Sequence, residues 1–166
     1  MKTETPRDLF FDQLQDLFSV ESQLVQSLPT LPQRAADERL VALINDHLSE
    51  THQQLETVSG ILTAHGYQPG GDKSQAMEGL IAGGDAHLDG VDVPTTRDLM
   101  IVAHCLRIEY YEMAAYTITS ALASQLGYAA EANILKTILK QEQEAADHLS
   151  RLQPILFERA TKFTLL

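Results

Sequence analysis

A chain of 166 residues is long enough to bury one core of useful size, and 44% hydrophobic residues are too many for a disordered segment. The formal charge of −11, from 23 acids against 12 bases, excludes nucleic acid and anionic membrane surfaces as expected partners, since both are polyanions. Cys105 is the only cysteine, which excludes an intrachain disulfide and a thiolate zinc cage, and its apolar neighbours mark it as inert packing.

The expected elements are all helical, because Leu, Ala, Gln and Glu dominate, aromatics are sparse and strand signals are absent. The first helix starts near Thr5, with Pro6 in its first turn. Its face is drawn by Leu9, Phe10, Leu14, Leu17, Leu24 and Leu28 at three-to-four spacing, and Pro29 and Pro32 end it near Leu31. A second helix runs from about Asp37 to His65 on Leu40, Ile44, Leu48, Leu55, Val58 and Leu62, and Gly66 stops it. Residues 66–96 are crowded with breakers, among them Pro69-Gly70-Gly71, Gly79, Gly83, Gly84, Gly90 and Pro94. That stretch reads as a crossover along a bundle, with one short helix over Ala76–Ile81.

A third long helix is expected from Thr96 to Leu126, with Thr95-Thr96-Arg97-Asp98 as a capping-box-like start and Gly127 as its end. The fourth covers Ala129 to Arg159 on Ile134, Leu135, Ile138, Leu149, Leu152 and Leu156, with Pro154 a candidate kink or early stop. The tail from Thr161 to Leu166 carries no clear assignment. Residues 1–166 therefore read as a single all-α domain, a four-helix bundle of two helical hairpins joined by a long crossover. Met1 to Pro6 lack a charged-then-apolar leader pattern, and no apolar run approaches membrane-spanning length, so a cytoplasmic protein is expected.

The informative residues are acids placed where apolar side chains belong. At about 100° per residue, Glu21 falls in the middle of the first apolar stripe. Glu109 and Glu112 fall within the stripe of Val102, Cys105, Met113 and Tyr116, and Glu142 lies beside the line of Leu135, Ile138, Ala145 and Leu149. Glu50 sits at the edge of the second helix's face, near His47 and Gln54. Any one of these acids alone reads more simply as a solvated residue. Together they would repel one another in a dry core unless cations neutralised them, and two divalent ions would supply about four positive charges. Glu21 and Glu50 are 29 residues apart and Glu109 and Glu142 are 33 apart, which suits equal heights on antiparallel helices.

The chain resembles the YciE/YciF family of ferritin-like bacterial proteins associated with stress responses, over roughly residues 7–157. The matching stretches include Arg7-Asp8-Leu9-Phe10, Glu21 with Gln23-Leu24, and His47-Leu48-Ser49-Glu50-Thr51. The more specific ones are Ala76-Met77-Glu78-Gly79-Leu80-Ile81 and Glu109-Tyr110-Tyr111-Glu112 followed by Ala114-Ala115-Tyr116. The resemblance implies a homodimeric bundle with a dinuclear metal site of the rubrerythrin and ferritin type. Carried over by position, Glu21, Glu50, Glu109 and Glu142 would be the ligands contributed by each helix in turn, and Glu112 an extra carboxylate. Two features depart from the superfamily pattern of a Glu followed by His three residues on. Glu50 is followed by Gln53 and Gln54, and Glu142 by Ala145 and Ala146, with His148 just beyond. His47, Gln53, Gln54, Tyr116 and His148 are therefore candidates for weak ligands or partners of ligands, whereas His52, His65, His87 and His104 read as surface or packing residues. So oxygen-rich a set suits iron or manganese.

Two functions follow from these residues: redox chemistry of a dinuclear iron or manganese site with oxygen, peroxide or Fe(II), or a degenerate site in a structural or protein-interaction module. Iron storage would need a hollow shell, for which no cage contacts are signalled. No nucleophile–base set or phosphate-binding glycine loop is present.

Overall fold

Thr5 caps the first helix through a reciprocal pair of bonds. Its Oγ1 accepts from the Asp8 amide at 3.1 Å, and the Asp8 carboxylate accepts from the Thr5 amide at 3.0 Å. Pro6 then occupies the first helical position, where a missing N–H costs nothing. The computed structural model describes residues 3–164, with side chains as far as residue 161, and contains α1 (Pro6–Ser27), α2 (Glu38–Ala64), α3 (Gln75–Asp89), α4 (Pro94–Gln125) and α5 (Ala129–Thr164). No strand occurs among the described residues. Residues 165–166 of the unassigned tail, and the first two residues of the leader reading, lie outside the described residues.

α1 packs on α2 and α4, and α5 packs on α4 and α2. Residue numbers rise on one helix as they fall on its neighbour. Arg7 meets Tyr128, Asp16 meets Tyr111 and the Ala36 amide meets Asp98, while His65 meets Glu131, Gln54 meets Glu142 and Asp37 meets Arg159. Adjacent helices are thus antiparallel, as a ferritin-like bundle requires. α2 and α4 end in the same way. Gly66 and Gly127 each take φ of 81°, and the tyrosine after each donates its amide back across the last turn, Tyr67 to Leu62 and Tyr128 to Ala123, both at 2.9 Å. The two tyrosines then gather around Phe10 and Phe11 and close one end of the bundle.

Four boundaries differ from expectation. The first helix ends at Ser27 and passes through a 3-10 turn, Leu28–Thr30, because Pro29 has no amide to continue the α-helical bonding. The crossover helix is α3, with 15 residues rather than six, and Gly79, Gly83 and Gly84 lie inside it. Burial of Met77 and Leu88 outweighs the roughly 1 kcal/mol that each interior glycine costs. α4 begins at Pro94, and Asp98 does not cap it. The Asp98 carboxylate instead accepts the amides of Ala36 at 2.7 Å and Asp37 at 3.0 Å, pinning the start of α2. α5 runs through Pro154 to Thr164. Pro154 and Ser150, whose carbonyl it leaves without an amide, are both exposed, so water can satisfy that carbonyl. Ile134, expected on the apolar face of α5, is 41% exposed, one step of about 100° from buried Leu135.

Gly84 has a packing role. A Cβ there would lie 2.0 Å from the ring of His104, which is buried on α4, so the glycine sets how closely α3 approaches α4. Gly84→Ala is expected to destabilise the protein by about 1–2 kcal/mol in urea unfolding, since overpacking outweighs the gain in helix propensity. Adding His104→Ala in the same chain should recover much of that loss. A single variant as stable as wild type would contradict the close contact.

The core has two apolar halves. One includes Val20, Leu24, Ile44, Ile101, Ile108 and Leu149, and the other Phe10, Leu14, Leu17, Val58, Leu135 and Ile138. On each of the four long helices a polar buried residue falls between the two.

Candidate metal centre

The polar layer is built from one helical line per helix. On α1, Glu21 lies between Leu17 and Leu24, each with no exposed surface. On α2 the line His47, Thr51, Gln54, Val58 faces inward at steps of three and four, and all four are buried. On α4, Glu109 and Glu112 lie between Cys105 and Tyr116, and on α5 Glu142 lies between Ile138 and Ala146. Glu21, Glu112 and Glu142 have no exposed surface, and Glu109 has 2%.

Ligand atoms of His47, Glu109, Glu112 and Glu142 all lie within 4.8 Å of one another, a spacing that could hold a metal ion. His47 Nε2 stands 3.6 Å from Glu109 Oε1 and 3.9 Å from Glu112 Oε2. Two direct hydrogen bonds border the group. Gln54 Nε2 donates to Glu142 Oε1 at 2.6 Å, and Tyr116 Oη donates to Glu21 Oε1 at 2.5 Å. Among the described residues, eight buried side-chain polar atoms have no hydrogen-bond partner: both ring nitrogens of His47, both oxygens of Glu112, and one oxygen each of Glu21, Gln54, Glu109 and Glu142. Buried polar groups are rarely left so, and here the unpartnered atoms belong to one layer of the core.

The electrostatics lead to the same conclusion. Burial, and then repulsion from Glu142, hold the carboxyls of Glu21, Glu109 and Glu112 well above the ordinary range. Glu142 is pushed up to about 7, first by burial. Burial lowers His47 to about 4, so its imidazole is neutral, with one ring nitrogen carrying a proton and the other free to accept a cation. Among the described residues no Lys or Arg pairs with these four carboxylates, and the two nearest in sequence, Arg107 and Lys140, are exposed and turn to the Ala103 carbonyl and to Glu144. Ionised, these four buried carboxylates would carry charge that bound cations could cancel. The donor set of carboxylate oxygens with one imidazole fits iron or manganese.

Of the residues singled out from the sequence, Glu21, Glu109, Glu112, Glu142, His47, Gln54 and Tyr116 meet in the layer. Gln53 and His148 do not converge with them, and Glu50 stands beside the group, outside the 4.8 Å cluster but near enough for its charge to raise Glu109 and Glu142. Glu50 lies about 60° off the inward line of α2 and is half-buried, while Gln53 and His148 are exposed. Glu50 shares its surroundings with Asp46, Glu144 and His148 at the rim of a cavity of about 350 Å³. Cys105 lines the inner part of that cavity, and its thiol is pushed up to about 12 by burial, which suits the packing role. Thr51, which the sequence marks only as part of a matching stretch, also belongs to the layer. It bonds the His47 carbonyl at 2.9 Å, and the four-residue step from His47 is the only signal that could have found it.

Residues 5–162 match a family described as a domain of unknown function, DUF892. The chain belongs to DUF892. Protein YciF of Escherichia coli strain K12 is 33% identical over 144 residues, covering 86% of this chain and 87% of YciF. The solved structure of the E. coli stress protein YciF superposes with a TM-score of 0.89 at 30% identity, over 94% of this chain and 99% of that one. YcfI of Rhodopseudomonas palustris, for which a structural role is suggested, gives 0.85 at 31% identity over 89% and 94%. The expected family and the all-helical architecture are both established by these matches.

Proposed function

We propose that this DUF892 chain is a ferritin-like protein with a dinuclear metal centre, iron before manganese, that serves redox chemistry during stress. The observation that carries this reading is the set of unpartnered buried ligand atoms in the middle of the core. His47, Glu109, Glu112 and Glu142 would hold one ion, and Glu21, with carboxylates shared from α4 and α5, the second. Bound iron would supply electron transfer to oxygen or peroxide. The protein's own part is to exclude water with two apolar layers, to fix Glu142 through Gln54, and to hold a phenol proton on Glu21 through Tyr116. Homodimerisation and a cytoplasmic setting belong to the same proposal. Tyr110 and Ile118, 60% and 45% exposed on α4, offer apolar surface for a second copy. None of the described helices is long and apolar enough to cross a membrane.

The test is oxidant consumption. Protein loaded with Fe(II) under argon should consume oxygen or peroxide in proportion to its iron, and Glu109→Gln protein should not. Iron that is retained but inert to both oxidants would overturn the redox reading. It would favour a structural or interaction module, for which the Tyr116–Glu21 and Gln54–Glu142 bonds already satisfy part of the acid layer.

A further inference from the structure

The buried centre needs a way in, and one cavity fits. It is walled by α2 and α5, occupies about 350 Å³, and has His47 and Glu109 at its inner end and Asp46, Glu50, Glu144 and His148 at its outer end. Its inner residues are the decisive feature. His47 and Glu109 are 7% and 2% exposed, line the cavity, and carry unpartnered ligand atoms. The outer residues are cation-binding types at or near solvent. Asp46, Glu144 and His148 are exposed and Glu50 is half-buried, and Glu144 also pairs with exposed Lys140 at 3.2 Å. A cavity of this size holds about ten waters at roughly 30 Å³ each, enough for an ion and its first hydration shell. A smaller cavity of about 220 Å³ reaches Gln54 from elsewhere, but no residue lining it is acidic.

We propose that the cavity between α2 and α5 is the route by which a hydrated divalent cation reaches the core, collected by Asp46, Glu50 and Glu144 and passed to His47 and Glu109. This rests on the metal-centre reading above. The rim residues add no sixth ligand to the finished centre. They raise the local cation concentration and replace hydration waters one at a time on the way in. Glu50 and His148, selected from the sequence as candidate ligands, take their place in this route.

The test is the rate of Co(II) uptake by the full chain under argon, followed by the rise in visible absorption as water ligands are exchanged for protein ones. An Asp46→Asn/Glu144→Gln variant should load about tenfold more slowly than wild type and with a weaker dependence on salt. Its final Co(II) content and final spectrum should match wild type. Ala145→Leu, which narrows the cavity without touching a charge, should also slow loading. Uptake at the wild-type rate in both variants would overturn the route while leaving the centre intact. No Co(II) uptake by wild type would overturn the centre, and the route with it.

Discussion

A Glu109→Gln/Glu112→Gln variant should retain no metal and, compared without metal, should melt at a higher temperature than wild type. Both oxygens of Glu112 and one of Glu109 are buried without a partner, and burial with mutual repulsion holds both carboxyls well above their ordinary range. The metal-free fold must therefore either carry uncompensated charge or take up protons to form. Glutamine keeps the shape and removes that cost, a gain of about 2–4 kcal/mol. For a chain of this size that corresponds to roughly 5–15 °C in the thermal midpoint. The same exchange removes two charged oxygen ligands, so a site that keeps its metal through desalting in wild type should lose it. Calorimetry and metal analysis on one pair of samples read both effects. A variant that melts lower than wild type would mean that the acids hold the fold through bonds of their own, and the structural reading would then be preferred.

The second large effect is in pH. The buried carboxyls have folded pKa values above their unfolded value of 4.5, so between the two values the folded chain binds more protons than the unfolded one. Metal-free stability must fall as pH rises through that window. For Glu142 the window closes at about 7, and the other three, held well above the ordinary carboxyl range by burial, act in the same direction. His47 acts in the opposite sense, since its folded value of about 4 lies below 6.5, and its contribution grows with pH and is complete above 6.5. Above pH 6.5 only the carboxyls act, each by at most about 1.4 kcal/mol per pH unit. Bound cations replace the protons, so the loaded protein escapes the loss. The gap between loaded and metal-free midpoints should therefore widen as pH rises from 6.5 through 7, read as the thermal midpoints of both forms at each pH. A constant or narrowing gap would contradict the assignment of these acids to a metal.

Much of this could be read from the sequence because helical periodicity is strict. Glu21, Glu109, Glu112 and Glu142 are buried because each falls on a line of apolar neighbours, and that line is visible in one dimension. Glu50 was harder to place. At about 60° from the inward line, its direction depends on how α2 is rotated against α5, which no single-helix pattern fixes. The same rotation turned His47 and Gln54 from neighbours of a ligand into members of the layer. The length of the crossover helix is hidden from the sequence for a different reason. Glycine content argues against helix locally, but Gly84 is there for the His104 ring, a contact between residues 20 positions apart. Asp98 likewise read as a local cap until its partners, the amides of Ala36 and Asp37, were brought to it by the fold.

The most direct measurement of the central claim is metal content per chain after anaerobic Fe(II) loading and desalting, beside a Glu21→Ala/Glu109→Ala control. About two irons per wild-type chain, absent from the control, is the predicted result. Wild-type protein that keeps no iron, and no manganese or zinc when loaded the same way, would contradict the claim that the buried acids are a metal centre.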